Sequence, residues 1–179
     1  MKNMKLKMFG KYSVSSLLFW VFSILLMIEV LYILFFIVSG VVGHYELQTY
    51  NDYYSYLFDM PFTNSRWSVR MDTKGLISFL FPFIKTGLLF YLLVLIFKSL
   101  KQDELIFKES SIKYLKFFAI FNICLPIVYS LFDLLMFKQW VYLNVMPSLP
   151  NFIIGLFTLF VLAIFKQGFQ IQQENELTI

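Results

Sequence analysis

Long runs of apolar residues separated by polar stretches set the pattern of this chain. The first run, residues 14–42, carries one formal charge, Glu29, near its middle. Further apolar runs cover residues 75–97, 115–137 and 150–165, the last being the shortest. At about 1.5 Å of rise per residue, a helix over the first run reaches about 43 Å, against about 30 Å of bilayer hydrocarbon. It can therefore span with tilt, or with one end among the headgroups. The pattern predicts an all-α integral membrane four-helix bundle, one membrane domain over residues 1–179.

The polar stretches define what lies between the helices. Residues 43–74 form a loop too long for a tight turn. It holds Tyr45, Tyr50, Tyr53, Tyr54, Tyr56, Phe58, Phe62 and Trp67, interleaved with acidic and basic residues. A short helix or a small structured cap is expected there. It serves either as an aromatic anchor at the membrane surface or as an extracytoplasmic sensing surface. A charged connector covers residues 98–114. Trp140 and Tyr142 stand in the connector 138–149, at the interfacial position such rings favour. Pro150 at the start of helix four removes an N–H that has no partner there anyway. Residues 166–179 form a polar tail.

Lysine and arginine placement sets the expected orientation. With the amino terminus inside, ten lysines (2, 5, 7, 11, 98, 101, 108, 113, 116 and 166) fall on the cytoplasmic side. Arg66, Arg70, Lys74 and Lys138 fall outside. Both termini are thus expected in the cytoplasm, with the chain multi-pass in the cell membrane. The basic start followed by an apolar run resembles a signal peptide, but the run is about twice the usual signal length and lacks a small-residue cleavage site. An uncleaved first helix is expected.

Composition narrows the function classes. The chain is 59% hydrophobic and 15% charged, where a soluble domain has about 25% charged residues. A water-soluble globule is excluded. The net charge of +4 does not indicate direct nucleic-acid binding, because the lysines edge the apolar runs instead of forming one patch. The single cysteine, Cys124, excludes an intrachain disulfide and is expected to be a small buried residue. With the lone His44 it leaves no ligand set for a metal, and no cofactor is expected. Neither a Gly-rich phosphate loop, an HExxH pair nor a nucleophile elbow is present, so the chain is read as non-enzymatic. There is no GxxxG pattern to support self-association.

The polar residues inside the runs are the first candidates. Glu29 lies twelve residues after Leu17, and Lys85 twelve before Phe97. Both sit about 18 Å deep if those residues mark the helix ends. An unpaired charge at mid-bilayer costs at least about 2.5–3.5 kcal/mol, so a Glu29–Lys85 ion pair is expected. Asn122, Pro126, Tyr129 and Asp133 share one helix face by spacing. Two readings stand: a proton or ion path through Glu29, Lys85 and Asp133, or interhelical glue with a kink at Pro126. Lys85 also has the reach to meet Asp133.

The cytoplasmic segments supply the second set. Ser110 or Ser111 is the expected N-cap of helix three, with Phe107 packing on the end of the bundle. Phe165 and Phe169 at a four-residue spacing extend helix four briefly. In these stretches the chain resembles a bacterial family known as domain of unknown function 2975. The resemblance rests on four helices, a connector with Phe107 leading into a basic helix start up to Lys116, and the ending Phe165-x-x-Gly168 through Asn175, Glu176, Leu177, Thr178 and Ile179. Glu176 stands where that family more often has Asp. Genes of the family commonly neighbour one for a small helix-turn-helix DNA-binding protein. The resemblance therefore implies membrane control of a transcription regulator, with Phe107, Lys113, Phe169, Glu174, Asn175, Glu176, Leu177 and Thr178 as partner-binding residues. A small transport or ion-conducting protein using Glu29, Lys85 and Asp133 is the alternative, and an assembly factor for another membrane complex the third reading.

Overall fold

The computed structural model describes residues 7–43, 45–50, 53–59, 65–70, 72–101, 107–137 and 142–177. In chain order they form α1 (Val14–Val42), β1 (Glu46–Tyr50), β2 (Tyr53–Asp59), β3 (Arg66–Arg70), α2 (Thr73–Lys101), α3 (Glu109–Phe137) and α4 (Tyr142–Leu177). Each of the four helices contains a span long and apolar enough to cross a membrane. The fold is accordingly that of a multi-pass helical membrane protein.

Local chemistry explains the helix ends. The Ser13 hydroxyl accepts the Ser16 amide at 3.3 Å, capping α1. Gly43 closes it at φ +79°, a left-handed conformation suited to glycine, with its amide on the Ser39 carbonyl at 3.1 Å. These limits coincide with the apolar run. α2 starts earlier than residue 75 because the Asp72 carboxylate accepts the Gly75 amide at 2.8 Å.

Helices three and four depart further from expectation. α3 begins at Glu109, so Ser110 and Ser111 lie in its first turn and do not cap it. α4 begins at Tyr142 instead of Pro150 and runs on to Leu177, which makes most of the polar tail helical. Proline's fixed φ is itself a helical value, so Pro147 and Pro150 can lie inside α4, each at the cost of one hydrogen bond to the carbonyl four residues back. The Lys, Gln and Glu residues of the tail are good helix formers.

The chain divides into two compact units, residues 23–90 and residues 1–22 with 91–179. In the first unit the long loop is a three-stranded antiparallel sheet in the order β1-β2-β3. Leu47 pairs with Tyr56, which pairs with Val69, and Phe58 pairs with Trp67. These residues share one face by the two-residue period of a strand, while Gln48, Ser55, Ser68 and Arg70 take the other. The apolar face closes over Phe36 of α1. Phe36, Phe58 and Val69 are buried, with Tyr45, Phe79 and Phe83 packed around them. On the sheet, Arg66 binds Glu46 at 3.0 Å and Asp59 at 2.8 Å, joining all three strands.

The second unit is built on α3 and α4. Leu115, Phe118, Ala119, Asn122 and Leu125 form the buried stripe of α3, and Thr158 and Leu162 are buried on α4. A methyl group placed on Gly155 would stand 2.7 Å from Ile123 Cγ1 and 3.0 Å from the Ala119 carbonyl oxygen. Glycine is thus what lets α4 approach the α3 backbone. Cys124 falls between the buried positions of α3 and is exposed, contrary to its expected burial. Its offset from Asn122 and Leu125 turns it away from the stripe.

Candidate functional site

At the lysine-rich end of the second unit, segments distant in sequence are tied together. The Gly10 amide donates to the Leu100 carbonyl at 3.2 Å, and the Ser15 hydroxyl to the Met8 carbonyl at 2.6 Å. Lys101 places its ammonium 4.3 Å from the Phe19 ring centre and 4.7 Å from that of Trp20. Ser99, in the last turn of α2, shares hydrogen bonds with the hydroxyls of Ser110 at 2.9 Å and Ser111 at 2.7 Å. Those two serines therefore join α2 to α3, a tie between hydroxyls in place of the expected cap.

Phe107 closes this end. Its ring meets Phe165 edge to face at 5.4 Å and lies so close to Gly168 that a methyl group there would be 2.6 Å from the ring. The connector phenylalanine and the Phe165-x-x-Gly168 pair, distant in sequence, form one contact. Phe107 thus binds within the molecule and positions the tail, and its ring is only partly exposed.

Past Gly168, α4 continues with two distinct faces. Phe165, Gly168, Phe169 and Gln172 are partly buried, whereas Gln167, Gln170, Ile171 and Glu174 are exposed. These four fall at i, i+3, i+4 and i+7, one stripe within an exposed surface that also includes Lys166, Gln173 and Asn175. Ile171 is 58% exposed, an apolar side chain in an otherwise amide and carboxylate surface. No basic residue stands in the last turn of α4. Its carbonyl end, already negative, is made more so by the acidic tail. Lys113 and Lys116 on α3 are exposed, as is Asn175. The side chains of Glu176 and Leu177, and Thr178 and Ile179 entirely, lie outside the described residues, as do His44 and Trp140.

The intramembrane polar residues are distributed over both units. In the first, partly buried Glu29 of α1 faces α2, with its Cγ 3.8 Å from where a Gly87 methyl would be. This places Glu29 level with the stretch of α2 that holds Lys85. Ion pairs in this unit include Arg66 with Glu46 and Asp59, and Arg70 with Asp72. In the second unit Asn122 is fully buried. Its Nδ2 donates to the Phe118 carbonyl at 2.8 Å, one turn back in its own helix, and its Oδ1 has no partner among the described residues. α3 continues through Pro126, and the Ser130 hydroxyl returns to the Pro126 carbonyl at 2.9 Å. The Asp133 side chain lies outside the described residues. Among the described residues no cluster of His, Cys, Asp or Glu could hold a metal ion.

Tyr45, just before β1, packs on Tyr56 of β2 with ring centres 4.0 Å apart. A hydrogen bond with Tyr45, and then burial, push the Tyr56 phenol above its ordinary range. The sequence reading found the aromatics of this region but not the strand pairing that aligns them.

These features define a class: a small multi-pass helical membrane protein with a β-sheet cap inserted between its first two spans. No protein-family model, curated protein or solved structure matches this chain.

Proposed function

We propose that this chain is a non-enzymatic regulatory partner in the cell membrane, with both termini cytoplasmic, that holds a small basic helix-turn-helix regulator on the α4 extension. The observation that carries the reading is the exposed stripe Gln167, Gln170, Ile171 and Glu174 on a helix fixed by Phe107. Anchors at this spacing are how an amphipathic helix docks into a partner's groove. The negative carbonyl end of α4 complements a basic DNA-binding protein and orients its approach. The resemblance to domain of unknown function 2975 points to the same class of partner. Nearby Lys113 and Lys116 favour anionic headgroups, keeping this end at the membrane surface.

The test is affinity capture from solubilised native membranes, comparing the full chain, a chain ending at Gln170, and Ile171→Arg. Both variants retain the Phe107–Gly168 contact. A small DNA-binding protein recovered with the full chain and reduced at least tenfold with each variant is the expected result. Equal recovery from all three would remove α4 as the binding element.

A further inference from the structure

Beside Phe36, in the first unit, the sheet stands away from the helices and leaves a cavity of about 270 Å³. Ile33 and Gly40 of α1, Phe58 and Val69 of the sheet, and Leu76 and Phe79 of α2 are among its walls. Almost everything it presents is hydrocarbon or aromatic ring. Water held there would need two to four polar partners, which such a lining does not supply. Left empty, the cavity would forfeit the dispersion contacts of every side chain around it. The fitting occupant is apolar, flexible and narrow.

The source of that occupant follows from the cavity's mouth. Ile37, Val41 and Leu80 line it and are also exposed, at 56%, 83% and 41%. They belong to the apolar spans α1 and α2. The cavity is therefore continuous with the surface those helices present to lipid, and the adjoining reservoir of apolar chains is the bilayer. We propose that it holds one acyl chain of a phospholipid drawn from the surrounding bilayer, which makes the sheet a lipid-binding cap. The chain would lie under Phe58 and Val69. This inference is independent of the α4 partner.

Gly40 supplies the decisive variant. A Cβ built on it meets nothing within 4 Å and Gly40 lines the cavity, so a side chain added there starts from open space. The full-length protein is reconstituted in nanodiscs containing phosphatidylcholine with a photoactivatable diazirine in one acyl chain. After irradiation the adducts are mapped by mass spectrometry. Phe58 and Val69 are expected to be labelled although only 5% and 4% exposed, and Gly40→Leu should reduce that labelling at least fivefold. Labelling of exposed Ile28 and Leu34 should not change. Adducts confined to such exposed residues in the unaltered protein would overturn the proposal, as would Phe58 labelling indifferent to Gly40→Leu. If the leucine variant does not insert, the unaltered protein's map still decides, and Gly40→Ala should give a smaller reduction in the same direction.

Discussion

Around Phe36, the rings of Phe58, Trp67, Phe79 and Phe83 converge from the sheet and α2 with centres 4.8 to 5.8 Å away. Along the α3–α4 seam the contact is instead between Gly155 and the backbone of Ala119 and Ile123. The two solutions answer one problem. In lipid the hydrophobic effect adds little between helices, so association depends on close contact and hydrogen bonds. Small residues bring backbones together and leave no slack. Large rings meet at varied angles, edge to face at Phe58 and Phe79 and stacked at Trp67, fill the space incompletely, and leave the cavity beside Phe36. The seam is thus a place where volume cannot be added, and the cap a place where it can.

Three substitutions test this contrast, beginning with the largest effect. Gly155→Leu must displace Ile123 and the Ala119 carbonyl, neither of which is a flexible side-chain end. We expect at least a tenfold fall in folded protein, read by size-exclusion chromatography of a fluorescent fusion. Phe36→Ala removes the ring at the centre of the cap and should cost about 3–5 kcal/mol, measured by reversible unfolding in detergent mixtures. Protein carrying it should still insert, because the apolar surface of α1 is otherwise unchanged. Arg66→Ala breaks the tie between the three strands, yet its partners are mostly solvated and the loss should stay below about 1 kcal/mol by the same measurement. A well-folded Gly155→Leu beside a misfolded Phe36→Ala would reverse the comparison.

How far the sequence discloses this architecture depends on the kind of signal each region carries. α1 is legible to the residue, because an unbroken apolar run sits between Ser13 and Gly43, a strong opening and closing signal. The ends of α2, α3 and α4 are less legible, since charged and amide-bearing residues continue a helix as readily as they leave one. Pro150 reads as a boundary while lying inside α4. In the cap, the alternation of Tyr54, Tyr56 and Phe58 with Ser55, Leu57 and Asp59 is a strand signal hidden by the general abundance of tyrosine. The Phe107 contact with Phe165 and Gly168 was half visible. Its members stand out as motif residues, but their meeting depends on how the two segments pack in space. Gly155 offered no pattern, because a lone glycine states neither its neighbour nor its distance.

The hydrogen bond from Gly10 to Leu100 also bears on how the protein is made. Its two ends are separated by about ninety residues of chain, which a ribosome adds in roughly 5 to 18 seconds at about 5–20 residues per second. During that interval the amino-terminal segment has no α2 to bind, and Lys101 has not yet reached Phe19 and Trp20. The amino-terminal end of α1 therefore emerges before its α2 partner, within a span long and apolar enough to enter a bilayer by itself. Its apolar surface, of which little is covered by the rest of the protein, is what equips it to do so. The first helix is a pioneer whose sequence is adapted to lipid, and its later neighbours arrive at an address already marked.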